Sequence, residues 1–211
     1  MNSFTVQFWK HIFGALRWIS VFHIIRNRFP KIKSAGSVDS WVMANFLLSF
    51  LALVIVVNSS SIWLIGAIIM WGVIRVIEIV VYQVNVLLFD PYKKMNLQAY
   101  ALRGYRRLLI LVIQNYLEIA LWFGSFYVLF RNYFVDNHGV LKSAVGGFYY
   151  SIVTMTTLGY GEVTPSSDWT RFLVTVQVII GVFMVAVIVA RFISFLPRPN
   201  TLDDSEKDDN H

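Results

Sequence analysis

The sequence predicts an all-α membrane protein: four transmembrane helices, plus one short re-entrant helix that leads into a glycine-rich loop. Three observations carry that reading. Of 211 residues 57% are hydrophobic and 14% charged, with a mean hydropathy of +0.61; the apolar residues gather in runs of the roughly 20 that a bilayer crossing needs. A further apolar segment, Ala144 to Met155, is too short to cross, since about 12 residues cover about 18 Å of a core roughly 30 Å thick. It must dip in and return, and the limb that follows, Thr154-Met155-Thr156-Thr157-Leu158-Gly159-Tyr160-Gly161-Glu162-Val163-Thr164-Pro165, is the returning one. Backbone without its own hydrogen bonds survives at that depth only beside protein or a water-filled path.

The net charge of +6 could suggest nucleic acid, but the basic residues flank apolar runs and build no polar face, so membrane topology accounts for them. Cysteine is absent, which removes disulfides, thiolate metal sites and a cysteine nucleophile. The first residues show no short apolar core with a small-residue cleavage site, so no signal peptide is expected.

In order along the chain, residues 1–40 form an interfacial helix and linker. Phe8, Ile12, Leu16, Ile19 and Phe22 recur at helical spacing opposite Gln7, Lys10, His11, Gly14 and Arg17, the pattern of a helix lying on lipid headgroups. Membrane lipids are therefore an expected partner. Pro30 to Asp39 reads as linker. Residues 41–89 hold two peripheral spans, Trp41 to about Val57 and Ile62 to Phe89, joined at Asn58-Ser59-Ser60-Ser61 and stopped by Asp90-Pro91. The second is about 42 Å long at 1.5 Å per residue and must tilt or project. Residues 90–107 are a basic loop with Lys93, Lys94, Arg103, Arg106 and Arg107. The pore region, 108–196, contains an outer helix 108–130, a polar loop Arg131 to Ser143, the short helix 144–156, the glycine-rich limb 157–161 and a last span 172–195. Residues 197–211 form an acidic tail with the composition of a disordered segment.

Orientation can be read from charge alone. Six Lys/Arg precede the first span and five lie between the second and third, against Arg131, Lys142 and Arg171 on the other side. Positive-inside topology places both termini in the cytoplasm and opens the re-entrant loop outward.

Charges inside the spans are rare and usually paired. Arg75 and Glu78 lie three apart on one helical face, and Glu118 lies mid-span in the next helix, so Arg75 is expected to pair with Glu78 or with Glu118. A voltage sensor would repeat Arg every third position, and only Arg75 lies deep. His11, His23 and His138 read as bystanders, with His138 on the outer side.

The run Thr156-Thr157-Leu158-Gly159-Tyr160-Gly161-Glu162 resembles the signature of the potassium-channel family, with Leu158 where Val is usual and Glu162 where Asp is usual. The likeness covers roughly Ser143 to Phe195, a bacterial-type pore with one pore loop per subunit, here preceded by two extra transmembrane helices. The resemblance implies a selectivity filter of Thr157, Leu158, Gly159, Tyr160 and Gly161. Potassium would be the permeant ion, held by the main-chain oxygens of Thr157, Leu158, Gly159 and Tyr160 and by the Thr157 hydroxyl, with no cofactor. Tyr149 and Tyr150 would brace the filter from behind, Glu162 falls where the family's acid supports the outer end of the filter by bonding to an aromatic, and Val153 implies that no carboxylate is buried there. Gly181 falls at the family's hinge position, although close helix packing is an equal reading, and Arg191 would mark the cytoplasmic mouth; these two are the gating candidates. One chain supplies about one oxygen per layer and carries one filter stretch with no repeat, so the implied assembly is a homotetramer in the plasma membrane.

Three other functions remain as alternatives. A non-conducting or regulatory subunit would follow if Leu158 and Glu162 spoil the filter. A membrane enzyme would need a nucleophile with its base, and none is evident. A uptake transporter would carry four pore repeats in one chain.

Overall fold

The computed structural model describes Phe4, Gln7, Phe8 and residues 35–88 and 105–193. Of the interfacial helix, Phe4, Gln7 and Phe8 are helical, with the Phe4 and Phe8 rings 6.2 Å apart; the rest of it, most of the basic loop and the acidic tail lie outside the described residues. Four described helices are long and apolar enough to cross a membrane.

Helix α1 spans Ala35–Asn58, so Ala35 to Asp39 are helical and not linker. The extension has a non-local cause. Asp39 accepts from Arg107 Nε at 2.8 Å and lies 2.7 Å from its Nη2, which fixes the lower end of α1 against the helix that carries Arg107. One face of α1 is lined by the buried Asn45, Ser49, Ala52, Leu53 and Val56. Its small residues allow close approach, while Leu47, Phe50, Leu51 and Val54 are exposed as a lipid-facing side would be.

Helix α2, Ile62–Leu88, contains the buried Arg75 and Glu78. Helix α3, Tyr105–Leu129, starts earlier than the sequence suggests, taking Arg106 and Arg107 into its first turn. Every residue of α3 from Glu118 to Val128 is buried, which makes it the central helix against which the others pack. Arg75 pairs with both candidate carboxylates: it grips Glu118 from Nε at 2.9 Å and Nη2 at 3.0 Å, and Nη1 donates to Glu78. A second tie is aromatic: a Cβ placed on Gly72 of α2 would lie 2.6 Å from the Trp122 ring.

The polar loop contains structure that hydropathy does not reveal. Strand β1, Phe134–Asp136, pairs antiparallel with β2, Val163–Pro165, in the register Phe134↔Pro165, Val135↔Thr164 and Asp136↔Val163. The Asp136 carboxylate accepts from the amides of Val140 and Leu141 at 2.8 and 2.9 Å. Helix α4, Ala144–Met155, is capped by Ser143, whose Oγ accepts from Gly146 N at 3.0 Å; Thr156 is its C-cap and not its last turn. Helix α5, Asp168–Ile193, begins four residues before the expected start because Ser167 and Thr170 form a reciprocal cap, with Oγ accepting from Thr170 N at 3.3 Å.

Glycine lets α3 and α4 meet at backbone distance. A Cβ on Gly147 would lie 2.5 Å from Val128 Cγ2 and 2.9 Å from Gly124 O. Gly147→Ala is expected to destabilise the detergent-solubilised protein by about 1–3 kcal/mol, read as a lower melting temperature. Glu118→Gln removes the better-held partner of the buried Arg75 and should cost about 3 kcal/mol in the same assay.

Candidate functional site: the glycine-rich limb and its supports

Alternating backbone handedness defines the limb. Thr157, Gly159 and Gly161 have φ of +61°, +56° and +81°, and Leu158 and Tyr160 between them do not share the sign. A chain that alternates left- and right-handed residues turns successive carbonyls to one side, where an extended strand turns them to opposite sides. Glycine adopts positive φ freely, but Thr157 is β-branched, and its conformation costs about 1–3 kcal/mol. The sequence alone points to the glycines and not to Thr157, although the spacing 157, 159, 161 was there to be read.

The limb leaves α4 with hydrogen bonds and then has few. Thr156 N donates to Ile152 O at 2.9 Å, Thr157 N to Thr154 O at 3.0 Å and Leu158 N to Val153 O at 3.0 Å. Among the described residues no backbone amide from Gly159 to Glu162 donates to a main-chain carbonyl. The whole run from Thr156 to Glu162 is exposed in the single chain, with Leu158 at 59% and Tyr160 at 64%. Among the described residues no three His, Cys, Asp or Glu side chains come together as metal ligands. The oxygens along the run include the main-chain carbonyls and the Thr157 hydroxyl, with the Tyr160 hydroxyl and the Glu162 carboxylate toward its end.

The expected bracing residues part company. Tyr150 is core: its ring stands edge-on to Tyr127 at 4.7 Å and to Phe134 at 5.8 Å. Tyr149 is 37% exposed and its hydroxyl reaches Glu162 Oε1 at 3.4 Å, a weak contact by length. Val153 is buried. Behind the limb lies a cavity of about 330 Å³ lined by Tyr149, Thr154, Thr157, Tyr160, Glu162 and Val178 among others. The limb is also anchored from outside, because β2 follows it directly and Ser166 N donates to Tyr133 O at 3.0 Å, with Thr170 Oγ1 donating to the same carbonyl at 3.1 Å.

Gly181 sits in the middle of an unbroken α5. A Cβ there would lie 2.5 Å from Met155 O and 2.7 Å from Met155 Cγ, so α5 touches the last residue of α4 backbone to backbone. The packing role is visible in that contact. Arg191 lies in the last turn of α5, at the far end from the limb, where a cation suits the helix dipole.

One group was missed by sequence reasoning. Gln177, fully buried on α5, accepts from the Tyr127 hydroxyl of α3 and donates through Nε2 to Ser151 O at 3.1 Å and Ser151 Oγ at 2.6 Å on α4. A carboxamide one turn before Gly181 in a mostly apolar span was the available signal. Gly181→Val should push α5 off α4 and lower the melting temperature by several degrees, at a cost of about 1–3 kcal/mol.

Comparison with known proteins bears on residues 116–198, which match the family described as ion channel. Two-pore potassium channel 3 of Arabidopsis thaliana is 31% identical over 86 residues, 39% of this chain and 19% of that protein. Two-pore potassium channel 4 of the same plant is 38% identical over 68 residues, 32% of this chain and 23% of that one. Two pore potassium channel a of Oryza sativa subsp. japonica is 40% identical over 48 residues, 23% of this chain and 14% of that one. The chain thus spans less than a quarter of the length of these relatives. No solved structure matches. Over residues 116–198 this membrane-spanning chain thus matches an ion-channel family, and over part of its length it is similar to potassium channels.

Proposed function

We propose that the chain is one subunit of a homotetrameric, potassium-selective channel of the plasma membrane, conducting passively with both termini in the cytoplasm. The observation that carries the reading is the alternation of positive φ at Thr157, Gly159 and Gly161. Stripping water from an ion costs tens of kcal/mol in a low-dielectric medium unless something replaces its shell. Carbonyl dipoles replace it without trapping the ion behind a full counter-charge.

The surface left exposed supports a shared axis. The limb and Ile179, Val182, Val185 and Val189 of α5 are all exposed in one chain. Unbonded backbone amides at membrane depth need a water-filled path or a protein neighbour, and further copies around an axis supply both. One chain offers about one oxygen per layer, and four complete a shell. The C-terminal end of α4 carries the negative end of its dipole toward the start of the limb, which favours a cation there.

Reconstituted in liposomes, the protein should pass potassium in steep preference to sodium, and native mass measurement should give four subunits. Equal passage of both ions overturns the selectivity; silence in an intact tetramer favours the non-conducting subunit. Gly159→Ala is a sharper probe. Within one subunit nothing lies within 4 Å of a Cβ at this position, so inside the subunit the substitution acts through φ, at about 1 kcal/mol. It should erode the potassium preference while the tetramer persists.

A further inference from the structure

Helices α4 and α5 share a seam with a constant offset. Ser151 meets Gln177, and one turn later Met155 meets Gly181; both pairs are separated by the same number of residues, so the helices run parallel along this turn. The lower contact is steric and the upper one polar. The seam ends at Met155, and the next residues are Thr156 and the left-handed Thr157. Whatever fixes this turn of α4 therefore fixes the point from which the limb departs.

Gln177 is built to fix it. Its carboxamide uses the carbonyl oxygen toward the Tyr127 hydroxyl and the amide nitrogen toward both oxygens of Ser151, so one side chain joins three helices. Gln177 and Ser151 are fully buried. The buried stripe of α5 is Thr170, Gln177, Gly181, Met184 and Val187, and the exposed residues Ile179, Val182, Val185 and Val189 lie off it. A polar residue on a pore-lining helix invites the reading of an ion contact. Burial against α3 and α4 places this one behind the pore wall.

We propose that Gln177 is a positioning residue for conduction: it holds α5 in register with α4 and thereby sets the α4 terminus from which the glycine-rich limb emerges. The inference rests on the channel reading above. A purely structural Gln177 would affect stability alone. A positioning Gln177 also affects which ions pass, because displacement of the α4 terminus changes the spacing of the first carbonyl layer.

The test uses the full-length protein in liposomes, with the potassium-to-sodium permeability ratio as readout and native mass as the assembly control. Gln177→Leu keeps the volume and removes the bridge. Interhelical hydrogen bonds in membranes are individually weak, so the tetramer should persist. The permeability ratio should fall about tenfold, within the range that one packed network transmits. Ser151→Ala should lower the ratio in the wild-type background and add little in the Gln177→Leu background, since the two act through one contact. If Gln177→Leu fails to assemble, Ser151→Ala with Tyr127→Phe keeps the carboxamide and strips its side-chain partners, and a fall of the same sign is expected. A selective wild type with an unchanged ratio in these variants overturns the positioning role alone. A wild type that does not discriminate potassium from sodium overturns the channel reading and this inference together.

Discussion

Everything at the candidate site depends on how closely α3 and α5 can approach a helix, α4, that is too short to cross the bilayer. Helix α4 has 12 residues and cannot hold its depth by its own length. It is held by contact. Gly147 meets Gly124 of α3, Gly146 sits under the Val140 carbonyl, and Met155 meets Gly181 of α5. At each contact a side chain on the glycine would push the backbones apart. These glycines serve proximity, whereas Gly159 and Gly161 have open space beside them and serve handedness. The same amino acid meets two unrelated requirements within one short region.

The peripheral helices are tied to that core by a different kind of bond. Arg75 of α2 is 3% exposed and its bidentate partner Glu118 of α3 is fully buried. Charges so placed are costly unless paired and further hydrogen-bonded, and Trp122 Nε1 supplies an additional donor to Glu118 at 3.4 Å. Since α3 also meets α4 through Gly124, the ion pair and the short helix share one support. Helix α2 is therefore linked through α3 to α4.

Much of this arrangement was legible in the sequence, and the failures have physical causes. Run length found the four spans because hydrophobic thickness is a strong constraint. It misplaced their ends wherever distant partners decide them: Ala35 to Asp39 are helical through a pair with Arg107, residues far apart in the chain. The start of α5 was misplaced for a local reason, since Ser167 and Thr170 were readable as a cap. The β1–β2 ladder was not readable, because three-residue strands carry no usable periodicity. Arg75 was expected to choose between Glu78 and Glu118 and instead takes both. The triad of Tyr127, Ser151 and Gln177 needed a fold to bring it together.

The left-handed conformation of Thr157 bears on how far this chain can be made sturdier. Glycine or asparagine at that position would relax the backbone, and a screen for heat resistance would favour either. In the proposed channel each such gain removes the Thr157 hydroxyl from the ion's path: glycine leaves nothing there, and asparagine leaves a longer carboxamide in its place. The residue worst suited to its own geometry is thus a place where durability and performance pull apart.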